Sequence, residues 1–228
     1  MIRESIAKLV ERQPLSRDEA YRTLKEVIGG EATPAQIASF ITALRMAGET
    51  AEVIAGCAQV MREAFTPVDT GDAVAVDVVG TGGDGANTFN ISTTAAFVVA
   101  GAGVHVAKHG NKGVSSRSGA ADVLQALGVK IMTPPEVIER CLREVGIAFL
   151  FAPCLHPAMK HAIGPRREIG IRTVFNLLGP LCNPADTRRG LLGVYDDGVA
   201  QMLADASAAL DAEHLFVVHG TDGPDEIT

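Results

Sequence analysis

One stretch, residues 73–94, limits most strongly what this chain can fold into: AVAVDVVGTGGDGANTFNISTT. An apolar run at 74–79 leads into a loop with four glycines, and Asn90, Ser92 and Thr93 then open a second apolar run. This order predicts a strand, a glycine-rich turn and the N-terminus of a helix. Backbone N–H groups at such a turn and the helix dipole together favour a bound anion. The stretch therefore predicts a phosphate site, and a tight turn that needs positive φ angles is the alternative.

Composition excludes several classes of function. The chain has 228 residues, 47% of them hydrophobic, which is enough for one large domain or two small ones. A net charge of −7 argues against a nucleic-acid or anionic-membrane binder. Local basic clusters, at 108–117 and 166–172, still allow a small anionic ligand.

Targeting and cysteine patterns predict a soluble, cytoplasmic protein. No apolar run is long enough to span a bilayer, and the N-terminus lacks the apolar core of a secretion signal. The four cysteines form no CxxC pair. Buried thiols are therefore expected in preference to a disulfide framework or a zinc site.

Residues 1 to about 65 have a helical pattern with no strand. Ser16 followed by Glu19 is a capping-box signal, Thr33–Pro34 starts another helix and Thr50 a third. The apolar faces exceed what three short helices bury among themselves. We therefore expect this unit to pack on another subunit or on a later segment.

From residue 73 short apolar runs alternate with helical patterns, which favours a parallel sheet covered by helices. Strands are predicted at 74–79, 104–107, 148–152, 191–195 and 215–218, and helices at 93–102, 118–127, 135–145 and 199–210. The predicted fold class is α/β, with a small all-helical N-terminal domain and a larger α/β domain around a mainly parallel central sheet. The helical domain is assigned to residues 1–70, joined by about 165–185, and the α/β domain to 71–228.

The predicted strands end in loops rich in glycine, hydroxyl, basic and acidic residues, and ligands of such sheets bind at that edge. Lys108 follows the second strand, where it could reach a phosphate; a solvated loop lysine is the alternative. His109 beside it could equally be a structural histidine. The segment 115–119, SSRSG, opens a helix and predicts a second anion site. Two such sites on adjacent strands suit a ligand with two phosphate groups.

Charged residues elsewhere suggest a metal and a carboxylate ligand. Asp222, Asp225 and Glu226 follow the last strand, and carboxylates beside phosphates are what Mg²⁺ prefers. An exposed acidic turn is the alternative. Arg166 and Arg167 could bind a carboxylate in bidentate fashion or form surface ion pairs.

Several motifs, taken together and in order, resemble the anthranilate phosphoribosyltransferase family. They are GTGGD at 80–84, NIST at 90–93, KHGN at 108–111, GPRREIGIRTVFNLLGPLCNPA at 164–185 and the DGPDE ending at 222–226. The resemblance covers essentially the whole chain and implies a nucleoside phosphorylase/phosphoribosyltransferase-like fold. It also implies a step of tryptophan biosynthesis, in which phosphoribosyl pyrophosphate and anthranilate give N-(5-phosphoribosyl)anthranilate and pyrophosphate.

The resemblance implies roles for particular residues. The residues expected to bind phosphoribosyl pyrophosphate are Gly80, Gly83, Asp84, Thr88, Asn90, Ile91, Ser92, Thr93, Lys108, His109, Gly110, Asn111, Lys112, Gly113, Val114, Ser115, Ser116 and Ala120, with the loop from Lys108 through Ser116 closing over the ligand. Anthranilate would be held by Gly80, His109, Asn111 and Arg166. Mg²⁺ would be bound by Ser92, Asp225 and Glu226.

No general base is assigned, because the aromatic amine of anthranilate is neutral near pH 7. The chemical difficulty lies in the departing pyrophosphate and the positive charge at the anomeric carbon. The resemblance further implies a homodimer through the N-terminal helices. Two departures stand out: family members often have Ser where this chain has Ala120, and they continue past the DGPDEIT segment, so the α/β domain is expected to be incomplete at its C-terminus.

Two other functions remain open at this point. A pyrimidine-nucleoside phosphorylase shares the fold and the KHG segment, although the carboxylate pair and the long arginine-containing segment favour the transferase. A protein of a different class, which binds anionic ligands without turning them over, is the second alternative.

Overall fold

A computed structural model describes residues 1–82, 85–86, 88–113 and 118–228 of the chain. Within these ranges it has eleven α-helices, two short 3₁₀ turns and five strands. The strands are β1 (Ala75–Gly80), β2 (His105–Gly110), β3 (Ile147–Phe151), β4 (Arg189–Gly193) and β5 (His214–Val218). The helices are α1 (Ile2–Val10), α2 (Arg17–Ile28), α3 (Pro34–Ala47), α4 (Ala51–Ala64), α5 (Ile91–Gly101), α6 (Ala120–Ala126), α7 (Pro135–Val145), α8 (Ala152–Leu155), α9 (Lys160–Ile169), α10 (Val174–Leu178) and α11 (Asp197–Ala208).

Side-chain caps start the N-terminal helices where the sequence signals predicted. Ser16 and Glu19 form a reciprocal capping box on α2, as do Thr33 and Gln36 on α3. Thr50 caps α4 by accepting a hydrogen bond from the Val53 N–H. The unit contains four helices instead of the three that caps identified, because α1 begins without a side-chain cap.

The five strands form one sheet in the order β3-β2-β1-β4-β5, and every pair is parallel. The prediction of a mainly parallel sheet is confirmed. In the register Gly80 of β1 lies beside Gly193 of β4, which lies beside Val218 of β5. The carboxyl ends of these three strands therefore form one row.

Strand β2 is longer than predicted. It continues through Lys108 and His109 to Gly110, so these two residues lie in the sheet and not in the loop after it. The prediction that the closing loop begins at Lys108 is therefore wrong. The strand carries polar side chains this far because each finds a partner: Lys108 Nζ donates to the Val78 carbonyl, and the His109 ring bonds to the Gly179 carbonyl and to His156.

The helical bundle and one face of the sheet share a single hydrophobic core. Buried residues from α1–α4 pack in one cluster with residues from α9, α10, β4 and α11, among them Leu24, Phe40, Leu178 and Leu203. The stretch 156–178 contains no strand, as predicted, and its helix α9 lies against α2 and α3.

Two arginines fasten the bundle to the end of α11. Arg62 of α4 donates from Nε to the Leu181 carbonyl at 2.8 Å and from Nη1 to the Leu210 carbonyl at 3.1 Å. Arg17 of α2 donates to the Ala209 carbonyl at 3.3 Å. Cations at the C-terminus of a helix satisfy carbonyls that have no partner within the helix.

The opposite face of the sheet is partly covered by α5, which packs on β1 and β2. A wide groove of about 710 Å³ lies there, lined by Val78, Val99, Leu191 and Phe216 among others. No helix among the described residues is long and apolar enough to cross a bilayer. All four cysteines are free thiols, and the expectation that they are buried is confirmed for Cys57 and Cys182. It is wrong for Cys154, which is exposed, and Cys141 is only half-buried.

Candidate active site

A polar cavity of about 230 Å³ opens at the carboxyl ends of β1 and β2. Backbone from two glycine-rich segments, 80–82 and 110–113, forms much of its wall. The polar side chains around it are hydroxyl, amide and basic, and no carboxylate lines it among the described residues. The predicted site residues that line it are Gly80, Ser92, Lys108, His109, Gly110, Asn111, Lys112, Gly113 and Ala120. The arrangement fits an anion.

Lys108 crosses the bottom of this cavity, with 4% of its surface exposed. Its Nζ donates to the Val78 carbonyl at 2.6 Å and to Ser92 Oγ at 3.3 Å. Burial lowers the pKa of Lys108, and the nearby carboxylates of Asp77 and Glu226 act in the opposite direction. The solvated-lysine interpretation is therefore wrong, because the ammonium group is held in place inside the protein.

The start of α5 contributes less of the cavity wall than the motif implied. Among the described lining residues, Thr88, Asn90, Ile91 and Thr93 do not appear. Asn90 is the residue before α5, but its side chain does not cap the helix and donates instead to the Ser118 carbonyl at 3.0 Å. Thr93 is buried beside a separate, mostly apolar cavity of about 390 Å³, and its hydroxyl has no hydrogen-bond partner among the described residues.

Asp122 connects Gly113, within the predicted closing loop, to Gly119 at the start of α6. Its Oδ2 accepts hydrogen bonds from the N–H groups of Gly113 and Gly119, both at 2.8 Å. These two bonds lower the pKa of Asp122. The predicted contacts at Val114, Ser115 and Ser116, like those at Gly83 and Asp84, lie outside the described residues.

Asp225 reaches the glycine turn from the far side of the sheet. Its Oδ2 accepts a hydrogen bond from the Gly82 N–H at 2.9 Å. A Cβ on Gly80 would collide with the Asp225 carboxylate, and one on Gly193 would collide with the Asp225 backbone. Two glycines paired across β1 and β4 thus make room for the acidic segment. Sequence reasoning missed Gly193, although a glycine inside a strand often marks close backbone approach.

A set of hard oxygen donors gathers near the polar cavity. Ser92 Oγ touches Lys108, and Glu226 is close enough to raise the pKa of the same lysine. Asp225 lies on the glycine turn beside them. The described residues contain no group of three or more His, Cys, Asp or Glu side chains that would hold a metal alone. Two carboxylates and a hydroxyl suit Mg²⁺, which takes its remaining ligands from water and phosphate.

A second cavity, of about 250 Å³, lies between the sheet edge and the helical bundle. Met61, Ile163, Phe175 and Leu178 give it apolar walls, and Arg166 and Lys160 supply positive charge. The Arg166 guanidinium lies 4.9 Å from the centre of the Phe175 ring. Burial lowers the pKa of Arg166. No carboxylate lines this cavity among the described residues, and no ion pair of Arg166 appears there.

His109 and Asn111 line both cavities, so the two are neighbours with a shared wall. Gly80, which the resemblance assigned to both substrates, lines the polar cavity and is absent from the described lining of the apolar one. Arg166 belongs to the apolar cavity alone. The structure therefore places a polar, positively charged cavity, which suits an anion, beside an apolar cavity that suits an apolar group bearing a negative charge.

A buried histidine pair stands at this shared wall. His109 Nε2 and His156 Nε2 are 3.1 Å apart, and His109 Nδ1 lies 3.2 Å from the Gly179 carbonyl. Burial, reinforced by the neighbouring His156, lowers the pKa of His109 to about 3, and burial lowers that of His156 to about 4. Both rings are therefore neutral near pH 7. Because the Gly179 carbonyl can only accept, His109 carries its proton on Nδ1 and donates from there. Its unprotonated Nε2 then accepts a hydrogen bond from His156 Nε2–H.

Arg172 is a cavity residue that the predicted site did not include. Its Nη2 donates to the Gly82 carbonyl at 3.0 Å, and its guanidinium stacks 3.9 Å from the centre of the Tyr195 ring. It lines the polar cavity with Asn176. In the sequence it lies in a basic cluster and in the motif at 164–185, but neither indicated its contact with the glycine turn, which spans 90 residues.

Comparison with known proteins first defines the class. Residues 72–228 match a family described as "Glycosyl transferase family, a/b domain", and residues 3–65 match "Glycosyl transferase family, helical bundle domain". A helical bundle that forms one wall of a cavity at the sheet edge is thus a glycosyltransferase architecture.

Curated relatives narrow the class to one family. Anthranilate phosphoribosyltransferase of Trichlorobacter lovleyi is 55% identical over 242 residues, covering 100% of this chain and 69% of the relative. That of Moorella thermoacetica is 58% identical over 228 residues, covering 100% of this chain and 67% of the relative. This chain belongs to the anthranilate phosphoribosyltransferase family.

Solved structures agree with the sequence relatives. The enzyme of Thermus thermophilus is 43% identical and superposes with a TM-score of 0.89, over 98% of this chain and 67% of that one. The enzyme of Saccharomyces cerevisiae, in complex with PRPP and Mg, is 33% identical with a TM-score of 0.91, over 100% of this chain and 68% of that one.

Proposed function

We propose that this chain transfers the phosphoribosyl group of phosphoribosyl pyrophosphate to the amine of anthranilate, as its family does, and that the two cavities hold the two substrates. The observation that carries the proposal is their shared wall: His109 and Asn111 line both. A phosphorylated sugar in the polar cavity and an aromatic acid in the apolar one would bring their reacting atoms together there.

Each cavity matches its proposed substrate in charge and polarity. Lys108, Lys112 and Arg172 surround the polar cavity, where backbone N–H groups add further donors for phosphate oxygens. In the apolar cavity Phe175 and Leu178 would face the aromatic ring, and Arg166 would pair with the carboxylate. A buried guanidinium pairs with an incoming carboxylate strongly because water does not compete.

The oxygen donors beside the glycine turn fit a magnesium ion. Ser92, Asp225 and Glu226 would hold it, and the bound ion would supply positive charge to the pyrophosphate as it leaves. The yeast enzyme with PRPP and Mg bound supports this assignment. Residues Gly83, Asp84, Thr88, Asn90, Ile91, Thr93 and 114–116 remain proposed contacts of the phosphoribosyl ligand on the strength of the family resemblance.

The chain's own residues contribute placement and charge, and no proton abstraction. The amine of anthranilate is neutral near pH 7, and both histidines at the shared wall are neutral as well, with pKa values of about 3 and about 4. Lys108 and the turn amides stabilise negative charge that develops on the pyrophosphate oxygens. Arg166 orients the ring so that the amine faces the anomeric carbon.

We also propose the finer organisation of the protein. Residues 1–70 with about 165–185 act as the helical domain, supported by the packing of α9 and α10 on the bundle. A homodimer through this domain is supported by exposed apolar side chains on α1 and α3, Val10 and Met46. A cytoplasmic location is supported by four free thiols, which persist in a reducing compartment.

Turnover of both substrates with Mg²⁺, followed by the fluorescence of phosphoribosylanthranilate, tests the function directly. Arg166→Ala should raise the KM for anthranilate about 10- to 100-fold, the value of a lost charge-assisted hydrogen bond, and leave that for phosphoribosyl pyrophosphate nearly unchanged. Arg167→Ala is the matched control, because Arg167 is exposed and outside the cavity. Equal losses for both substrates in R166A would contradict the assigned role.

The same assay separates the alternatives. Phosphorolysis of thymidine would favour a nucleoside phosphorylase, and we expect none, because curated relatives at 55% and 58% identity are anthranilate phosphoribosyltransferases. Binding of both ligands without product would favour the non-catalytic alternative.

A further inference from the structure

A buried carboxylate lies below the two cavities without lining either of them. Asp77, in the middle of β1, is 5% exposed. Its Oδ1 accepts a hydrogen bond from the His109 N–H at 3.2 Å, and its Oδ2 accepts one from Asn183 Nδ2 at 2.7 Å. Removing a carboxylate from water is costly, so a charge in this position has to be compensated by what it binds.

Asn183 uses its whole amide at this junction. Besides the bond to Asp77, its Nδ2 donates to the Ala107 carbonyl at 2.8 Å, and its Oδ1 accepts from the Ala185 N–H at 2.9 Å. The side chain is as buried as its partner, at 5% exposed. Because Asp77 only accepts and the Asn183 Nδ2 only donates, the pair has a fixed polarity.

The three segments joined here each carry part of the active site. Strand β1 ends at Gly80, in the polar cavity, and the end of β2 and the residue after it supply His109 and Asn111, which line both cavities. The segment before Asn183 contains Gly179, whose carbonyl binds the His109 ring, and Cys182, which lines the apolar cavity. A shift of any one segment against the others would move one cavity relative to its neighbour.

We propose that Asp77 and Asn183 are positioning residues that fix the apolar acceptor cavity relative to the phosphoribosyl cavity. The inference rests on the proposed function. Neither residue touches substrate or moves a proton. Transfer requires the amine to approach the anomeric carbon in line, and a misplacement of about 1 Å costs on the order of 100-fold in rate. The pair acts below the reacting atoms, through the main chain at His109 and at 179–183.

A purely structural role makes a different prediction. A pair that only adds stability would lower the melting temperature and the folded fraction, while each folded molecule kept its kcat. Ser5 and Thr23 provide the control, since their hydroxyls form a buried 2.6 Å hydrogen bond within the helical bundle. Ser5→Ala should lower the melting temperature without changing kcat per folded molecule.

The test is a set of variants at the junction. Asp77→Asn places an amide where two donors, His109 N–H and Asn183 Nδ2, both need an acceptor. We expect kcat to fall about 10- to 100-fold, while the dissociation constant of each substrate alone changes less than about threefold. The exchanged double variant D77N/N183D restores a donor–acceptor pair but loses the donor to Ala107, so it should recover part of kcat.

Several results would overturn the proposal. One is a kcat of D77N that falls only in proportion to the unfolded fraction, and another is a rise in the KM of D77N while its kcat stays unchanged. A third is a double variant with a kcat no higher than that of D77N. If D77N does not fold, Asn183→Ala keeps the Asp77–His109 bond and should still lower kcat at least about fivefold; an unchanged kcat there would refute the inference. Wild-type protein without turnover would instead refute the proposed function, so the two failures are distinguishable.

Discussion

The two cavities at the sheet edge are built in contrasting ways. The polar one consists mainly of backbone from the ends of β1 and β2, with Lys108 and Ser92 added. The apolar one is made of side chains from α4, α8, α9 and α10, far apart in sequence, such as Met61, Arg166 and Phe175. If the two cavities hold the proposed substrates, phosphate recognition depends on the conformation of the main chain, whereas recognition of the aromatic acid depends on how the bundle packs on the sheet. Changes in the two regions should therefore have separable effects.

The largest effect is expected from a substitution at Gly193, next to the polar cavity that is built mainly from backbone. A Cβ there would collide with the Asp225 main chain. We expect Gly193→Ala to displace the acidic segment, lower kcat/KM about 100-fold and raise the Mg²⁺ concentration needed for half-maximal activity. Gly101→Ala is the control, since a Cβ at that position meets nothing within 4 Å. If G193A had the same Mg²⁺ dependence as the wild type, the assignment of Asp225 as a magnesium ligand would be contradicted.

Arg172 tests whether the two cavities are independent. It lines only the polar cavity and holds the Gly82 carbonyl. Arg172→Ala should raise the KM for phosphoribosyl pyrophosphate about 10-fold or more, the mirror image of R166A, and leave that for anthranilate close to wild type. Steady-state kinetics with each substrate varied in turn gives both constants. If the KM values for both substrates rose, the substitution in the polar cavity would also alter the apolar cavity, through the wall that the two share.

The histidine pair predicts how stability depends on pH. The folded-state pKa values of His109 and His156, about 3 and about 4, lie below the unfolded value of 6.5, so the unfolded chain binds up to two more protons as pH falls from about 6.5 to about 4. Burial raises the pKa of Asp77 from 3.8 to about 6, so below pH 6 the folded chain binds one proton that the unfolded chain does not yet bind. This offsets the contribution of one of the two histidines. Stability should therefore decrease towards acid.

Urea unfolding between pH 7.5 and pH 4.5 measures this dependence. His156→Gln should reduce the number of protons taken up on unfolding by about one, so the free energy of unfolding should fall less steeply towards acid pH. His161→Gln is the control, because His161 is half-buried and outside both cavities. An equal slope in wild type and H156Q would show that His156 is not held neutral in the folded state.

The smallest effect is expected at Ala120, which lines the polar cavity beside Gly110. Family members often carry serine here. Ala120→Ser would add one neutral hydrogen bond to the phosphoribosyl ligand, so its KM should fall about two- to tenfold. The anthranilate KM should not change. An unchanged or higher KM for phosphoribosyl pyrophosphate would mean that this contact is made by backbone alone.

Structural features that depend on residues close together in the sequence were predicted correctly. The caps at Ser16 and Thr33 follow from residues within one helical turn of each other, and the helix Pro135–Val145 follows from the apolar pattern within its own 11 residues. Arg166 was found in the same way, within a recognisable motif. The family resemblance then gave one common interpretation to motifs that were ambiguous when taken one at a time.

Features that depend on sheet register were not predictable. Gly193 matters because β4 pairs with β1, and Asp225 meets Gly82 across 143 residues. Asp77 looked like one polar residue in an apolar run, and Asn183 like a turn residue. His156 gave no signal at all, because only the fold places it against His109. No local pattern encodes such pairings; they exist only once the sheet has closed on the bundle.

The fastening of the bundle by Arg62 and Arg17 has a consequence for folding. These arginines hold the end of α11, and the core beneath them runs without a break from α1 to β4. We therefore expect the two segments that match separate family descriptions to unfold together, since unfolding the bundle would expose the apolar face of the sheet and leave buried carbonyls without donors. A single unfolding transition, with the same midpoint for bundle and sheet, is the expected result.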